Sequence, residues 1–119
     1  MATPTPTDIT LHRVSRELEL TFADGLSRRL PCEYLRVFSP SAEVRGHGPG
    51  QEVLVFGKER VNIDRIDPVG NYAVKLVFDD GHDTGIYSWE QLYELAAQFE
   101  ENWQSYLARL EEAGVRREA

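Results

Sequence analysis

The chain has 119 residues, 13 Lys and Arg against 20 Asp and Glu, a net charge of −7 and 41% apolar residues. That length fits one domain of ordinary size, with a hydrophobic core that needs no staples. The acidic balance argues against nucleic acid and anionic lipid as partners, one cysteine excludes an internal disulfide and a cysteine-based zinc cluster, and no apolar run is long enough to span a membrane.

Residues 1–8 begin with alternating proline and threonine and are expected to form a disordered tail. They carry neither the basic start nor the apolar stretch of a secretion signal, so a cytoplasmic location is expected. A strand pattern starts at Ile9 and Leu11, with Val14 as its last candidate. Leu18, Leu20 and Phe22 alternate with Glu19 and Thr21, the period of a half-buried strand. Asp24-Gly25 signals a tight turn into a partner strand from Leu26 to Leu30. Pro31 then opens a short helix with Tyr34, Leu35 and Phe38 on one face. Ser39-Pro40 reads as a second helix start running to Glu43. Gly46-His47-Gly48-Pro49-Gly50 is a loop, and Val53, Val55 and Phe56 suggest a short strand or arm.

Val61, Ile63 and Ile66 predict a further strand ending at Asp67-Pro68. Tyr72, Val74, Leu76 and Phe78 alternate, Asp79-Asp80-Gly81-His82 turns, and Thr84 to Tyr87 returns with Ile86 facing inward. Ser88 and Gln91 form a capping box at the head of one long helix. On it Trp89, Leu92, Ala96, Phe99, Trp103, Tyr106 and Leu110 step by three and four, and Gly114 stops it. Residues 115–119 are expected to fray. Leu18–Gly25 and Val74–Gly81 echo each other at an offset of 56 residues, each a strand and an Asp-Gly turn. The expected fold is α+β: a mainly antiparallel sheet of about five or six strands, covered by the long C-terminal helix and a short one, in a single domain over residues 9–114.

The residues that could carry chemistry are few. Cys32, at a helix start, reads either as an activated thiol or as a small buried one. His82 with Asp80 and Asp83 is the densest set of metal-capable ligands, and the turn alone also accounts for its aspartates. Arg36 and Arg45 flank the Ser39 turn and could hold an anion or pair with Glu33 and Glu43. No nucleophile–base pair is visible, so the chain is expected not to be an enzyme and to use no cofactor. Trp103, Tyr106 and Leu110 lie toward the far end of the last helix, where large aromatics can anchor a protein partner or a second copy of the chain.

Four stretches taken together carry a family resemblance: Leu20–Gly25, Leu30–Arg36, Ser39–Gly46, and Asp80-Gly81-His82 through Tyr87–Leu92. Over roughly residues 9 to 100 the chain resembles small bacterial proteins related to the N-terminal domain of gamma-butyrobetaine hydroxylase, a domain of unknown function. The resemblance implies an α+β domain without the hydroxylase's catalytic part. In the hydroxylase that domain holds a structural zinc on a Cys-x-Cys-x-x-Cys run and a later His. By position the run falls here on Ser39, Ser41 and Val44, beside Arg36, and the His on His82, which implies that the zinc site is lost. A related domain accompanies some iron–sulfur carrier ATPases. The resulting expectation is a non-catalytic accessory or protein-binding module. The alternative is a metal-binding or iron–sulfur assembly accessory domain using His82 and nearby acidic residues.

Overall fold

Among the residues that the computed structural model describes, 3–41 and 54–117, the chain forms strands β1 (Pro6–His12), β2 (Glu17–Phe22) and β3 (Ser27–Pro31), then helix α1 (Cys32–Val37). A second set follows: β4 (Ile63–Val69), β5 (Ala73–Phe78) and β6 (Ile86–Ser88), then helices α2 (Trp89–Ala97) and α3 (Phe99–Glu112). The Ala42–Glu43 end of the second helix start, the glycine loop, Val44, Arg45 and Val53 lie outside the described residues.

The α+β class stands, but the strands make two antiparallel sheets of three, β1-β2-β3 and β4-β5-β6, instead of one continuous sheet. The reason is visible at the junction. Where a ladder would join the sheets, side chains do so: the Arg13 guanidinium donates to the Ile63 and Asp64 carbonyls, and the Asn62 amide donates to the Arg13 carbonyl. The inward residues of both sheets, Leu18, Leu20, Phe22 and Leu30 with Ile63, Leu76, Phe78 and Tyr87, then share one core with α1 and α2. Strand β1 already begins at Pro6, inside the expected tail, and pairs with Phe22.

The echo at 56 residues extends beyond the turn. β2 and β5 sit at that offset end to end, and each is the middle strand of its sheet. In both turns the glycine takes a left-handed φ, +94° at Gly25 and +91° at Gly81, which a residue with a Cβ adopts only with strain. In both, the aspartate accepts from the backbone N–H two residues on, Asp24 from Leu26 at 3.0 Å and Asp80 from His82 at 3.1 Å.

Two expectations for the second half are corrected. Ile86 points outward and is 46% exposed, because the register sets it opposite Lys75, while Tyr87 opposite Val74 takes the inner face. The long helix is also broken at Gln98, although the predicted Ser88–Gln91 capping box is present. The break has a specific cause. In a continuous helix the Leu95 carbonyl would accept from Phe99, but the buried Tyr34 hydroxyl of α1 donates to it at 2.8 Å. The bend turns the apolar stripe from the main core at Leu92 and Ala96 to a second cluster, where Tyr106 and Leu110 pack with Val37, Phe38 and Val55.

Tyr34→Phe should therefore cost about 1–3 kcal/mol, since it orphans the Leu95 carbonyl and also removes an acceptor from Asn102. A urea unfolding series would show the midpoint falling with an unchanged slope.

Candidate functional site

α1 is only six residues long, so its C-terminal carbonyls must find partners outside the helix. Tyr87 on β6 meets this need, donating its hydroxyl to the Leu35 carbonyl at 2.5 Å. Ser39 follows directly and is fully buried beneath the β5–β6 connection. Its Oγ lies 2.9 Å from His82 Nε2 and accepts from the Ser41 N–H at 3.2 Å. The Ser41 hydroxyl is in turn 2.7 Å from that of Thr84. Gly85 permits this closeness, because a Cβ there would lie 2.6 Å from Ser39 Oγ.

Three of the positions to which the resemblance assigns the zinc ligands, Ser39, Ser41 and His82, thus meet in one buried cluster. Val44 lies outside the described residues. The donors present do not fit zinc. Two neutral hydroxyls stand in for thiolates, and the imidazole nitrogen on that side is already bonded to Ser39. Among the described residues no three His, Cys, Asp or Glu side chains gather as a ligand set.

Among the described residues Asp80, Asp83 and His82, the ligand candidates, do not gather as a set of three that could hold a metal ion. Asp80 points at two cations, the Arg36 guanidinium at 2.8 Å and the Lys58 ammonium at 2.6 Å. Burial works to raise its pKa, but bonds from Lys58, the His82 N–H and Arg36 outweigh that and hold it at about 2. Arg36 spends its Nε on Asp80 and leaves Nη1 buried without a hydrogen-bond partner. Cys32 is fully buried; burial pushes its thiol up to about 11.

Trp103, Tyr106 and Leu110, expected as interface anchors, are used within the chain. Tyr106 and Leu110 are 2% and 3% exposed, and the Tyr106 hydroxyl donates to the Val55 carbonyl at 2.8 Å. Trp103 is half-buried under the Arg117 guanidinium, 5.2 Å from its ring centre. Arg117, expected to fray, forks onto the buried carboxylate of Glu33.

The sequence reading missed a cleft of about 140 Å³ between α1 and the bend of the last helices. Phe38 and Tyr87 contribute aromatic lining, and Gln91, Glu94, Gln98 and Asn102 contribute polar lining. Those four polar positions step by three, four and four, a helical stripe overlooked beside the louder apolar one.

A sequence model of the family described as gamma-butyrobetaine hydroxylase-like, N-terminal, matches residues 9–93. A protein solved in solution by NMR is 58% identical, covering 97% of this chain and 86% of its own, with a TM-score of 0.82. A second NMR structure is 47% identical, covering 98% and 92%, with a TM-score of 0.85. A crystal structure from Acidithiobacillus ferrooxidans, of a protein of unknown function in the DUF971 family, is 43% identical, covering 78% and 93%, with a TM-score of 0.66. No functionally curated protein matches the chain.

Two outcomes are expected at the buried cluster. Ser39→Ala should cost about 1–3 kcal/mol in chemical unfolding, because it strips a partner from both Ser41 and His82. Asp80 has a folded pKa below its ordinary 3.8, so its contribution is fully present above about pH 4 and lost as the pH falls through about 2. Asp80→Asn should flatten the acid limb of a stability–pH curve over that window.

Proposed function

The chain belongs to the gamma-butyrobetaine hydroxylase-like N-terminal family, and on that premise we propose that it is a non-catalytic accessory module that works by binding another protein. One observation supports this reading above the rest. The groups that the sequence offers for chemistry are spent on holding the fold. The Cys32 thiol is buried and kept protonated, His82 faces Ser39, and Asp80 is paired with Arg36 and Lys58. A reactive centre instead needs a nucleophile and base facing an accessible space. No helix among the described residues is long and apolar enough to cross a membrane, so the reading invokes no membrane step.

A second reading, metal binding or iron–sulfur assembly, draws on the meeting of Ser39, Ser41 and His82. Its weakness is the donor set, which is hydroxyl-rich and already hydrogen-bonded.

Crosslinking in cells expressing the chain at native level, followed by mass spectrometry, separates the two when run beside elemental analysis of the protein purified without chelator. The accessory reading expects one reproducible protein partner and zinc or iron well below one equivalent. Stoichiometric metal, or no partner above the control, overturns it. Cys32 supplies a check on the non-catalytic part. With a pKa of about 11, roughly 0.1% of the thiol is ionised at pH 8. Iodoacetamide should leave it unmodified in the folded protein and label it after unfolding; rapid labelling of the native chain would count against the reading.

A further inference from the structure

We infer that the cleft between α1 and the α2–α3 bend receives a single arginine side chain from the partner protein, an inference that rests on the accessory reading above. The volume sets the scale. About 140 Å³ accommodates one side chain and falls well short of the several hundred Å³ usual for a cofactor or metabolite.

The chemistry of the walls selects the side chain. The two tyrosine hydroxyls nearby are already committed, Tyr87 to the Leu35 carbonyl and Tyr34 to that of Leu95. Asn102 uses its amide nitrogen on the Tyr34 hydroxyl, which leaves its carbonyl oxygen as an open acceptor. Among the described residues the Glu94 carboxylate and the Gln98 carboxamide make no hydrogen bond or ion pair. The lining therefore offers three acceptors, one of them anionic, together with two aromatic rings, and neither Lys nor Arg is part of it. A guanidinium matches this arrangement. Its planar fork spreads donors around an edge while its faces stay apolar enough to lie on Phe38. An ammonium is a compact point charge that would leave part of the wall unserved. The setting adds attraction for a cation, since residues 89–112 carry six Glu and one Arg.

The full chain, labelled with nitrogen-15, can be titrated with acetyl-Gly-Arg-Gly-amide and with its lysine and glutamate counterparts. The expected result is a saturable shift of the Gln98 and Asn102 side-chain amide signals by the arginine peptide, weaker with lysine and absent with glutamate. Glu94 is exposed, so Glu94→Gln should fold normally and weaken the arginine peptide about fivefold. Absence of a saturable shift at those amides, or an equal response to the glutamate peptide, overturns the inference. An equal response to lysine overturns the guanidinium assignment. Crosslinks to a protein partner that fall away from the cleft overturn the inference while leaving the accessory reading intact.

Discussion

A buried helix end is the constraint on which the rest of this structure depends. α1 has six residues, too few to satisfy more than a small share of its own polar groups, and both of its ends are covered. A carbonyl left there without a donor would cost about 1–3 kcal/mol, a large share of the stability of a domain this small. Two tyrosines remove that cost by an exchange across the interior. Tyr87 of β6 donates to the Leu35 carbonyl of α1, and Tyr34 of α1 donates to the Leu95 carbonyl of α2. Because these hydroxyls sit at the ends of rigid rings, they fix where the helices lie relative to the second sheet. The position of Ser39, the need for glycine at 85 and the bend at Gln98 all follow from that placement.

The repeated hairpin shows how the two halves are locked together. Both Asp-Gly turns make the same internal bond with one carboxylate oxygen, which leaves the second oxygen free to reach outward. In each case the other half's helix takes it. Tyr93 of α2 donates to Asp24 in the first turn, and Arg36 of α1 donates to Asp80 in the second. The exchange is not symmetric in strength. Asp24 is exposed and meets a neutral phenol, whereas Asp80 is shielded and meets two cations, so its carboxyl stays charged far into the acid range. The second turn, with the two cations, is the one that carries His82.

What the sequence made legible was local. The alternation of Leu18, Leu20 and Phe22, the Asp-Gly turns and the Ser88–Gln91 capping box each depend on residues within a few positions, and each appears where its pattern places it. Errors arose where a distant residue decided. The register opposite Lys75 turned Ile86 outward, and a hydroxyl 61 residues away broke a helix whose apolar spacing runs on without a fault. That same spacing suggested an outward-facing seam, because period alone cannot say whether a stripe meets its own chain or another. Here residues 54 and 55 cover it. The candidate site shows the same division. The gathering of Ser39, Ser41 and His82 came from resemblance, and residue chemistry alone gave no reason to join positions 43 apart. For Tyr87, which organises the cluster, the sequence pattern gives a strand end and the start of the family-like stretch Tyr87–Leu92, and neither signals its hydroxyl's role.

Hydroxyls at these positions also change what burial requires. A group of thiolates in a closed interior carries a negative charge that only a bound cation can offset, so such a site folds with its metal or not at all. Serine and threonine hydroxyls are neutral, and each can donate once and accept twice. Ser39 and Ser41 can therefore be enclosed with no ion, with hydrogen bonds to His82 and to the exposed Thr84 at 2.7–2.9 Å. The neighbouring Asp80 pairs with Arg36 and Lys58 and also accepts from the His82 N–H, which ties that ion cluster to the hydroxyls. The burden of stability then passes to the apolar core, where Tyr34, Tyr87, Phe22 and Phe78 are enclosed almost completely. Neutral hydroxyls at these positions therefore place no demand for a bound cation on the interior, whereas thiolates would.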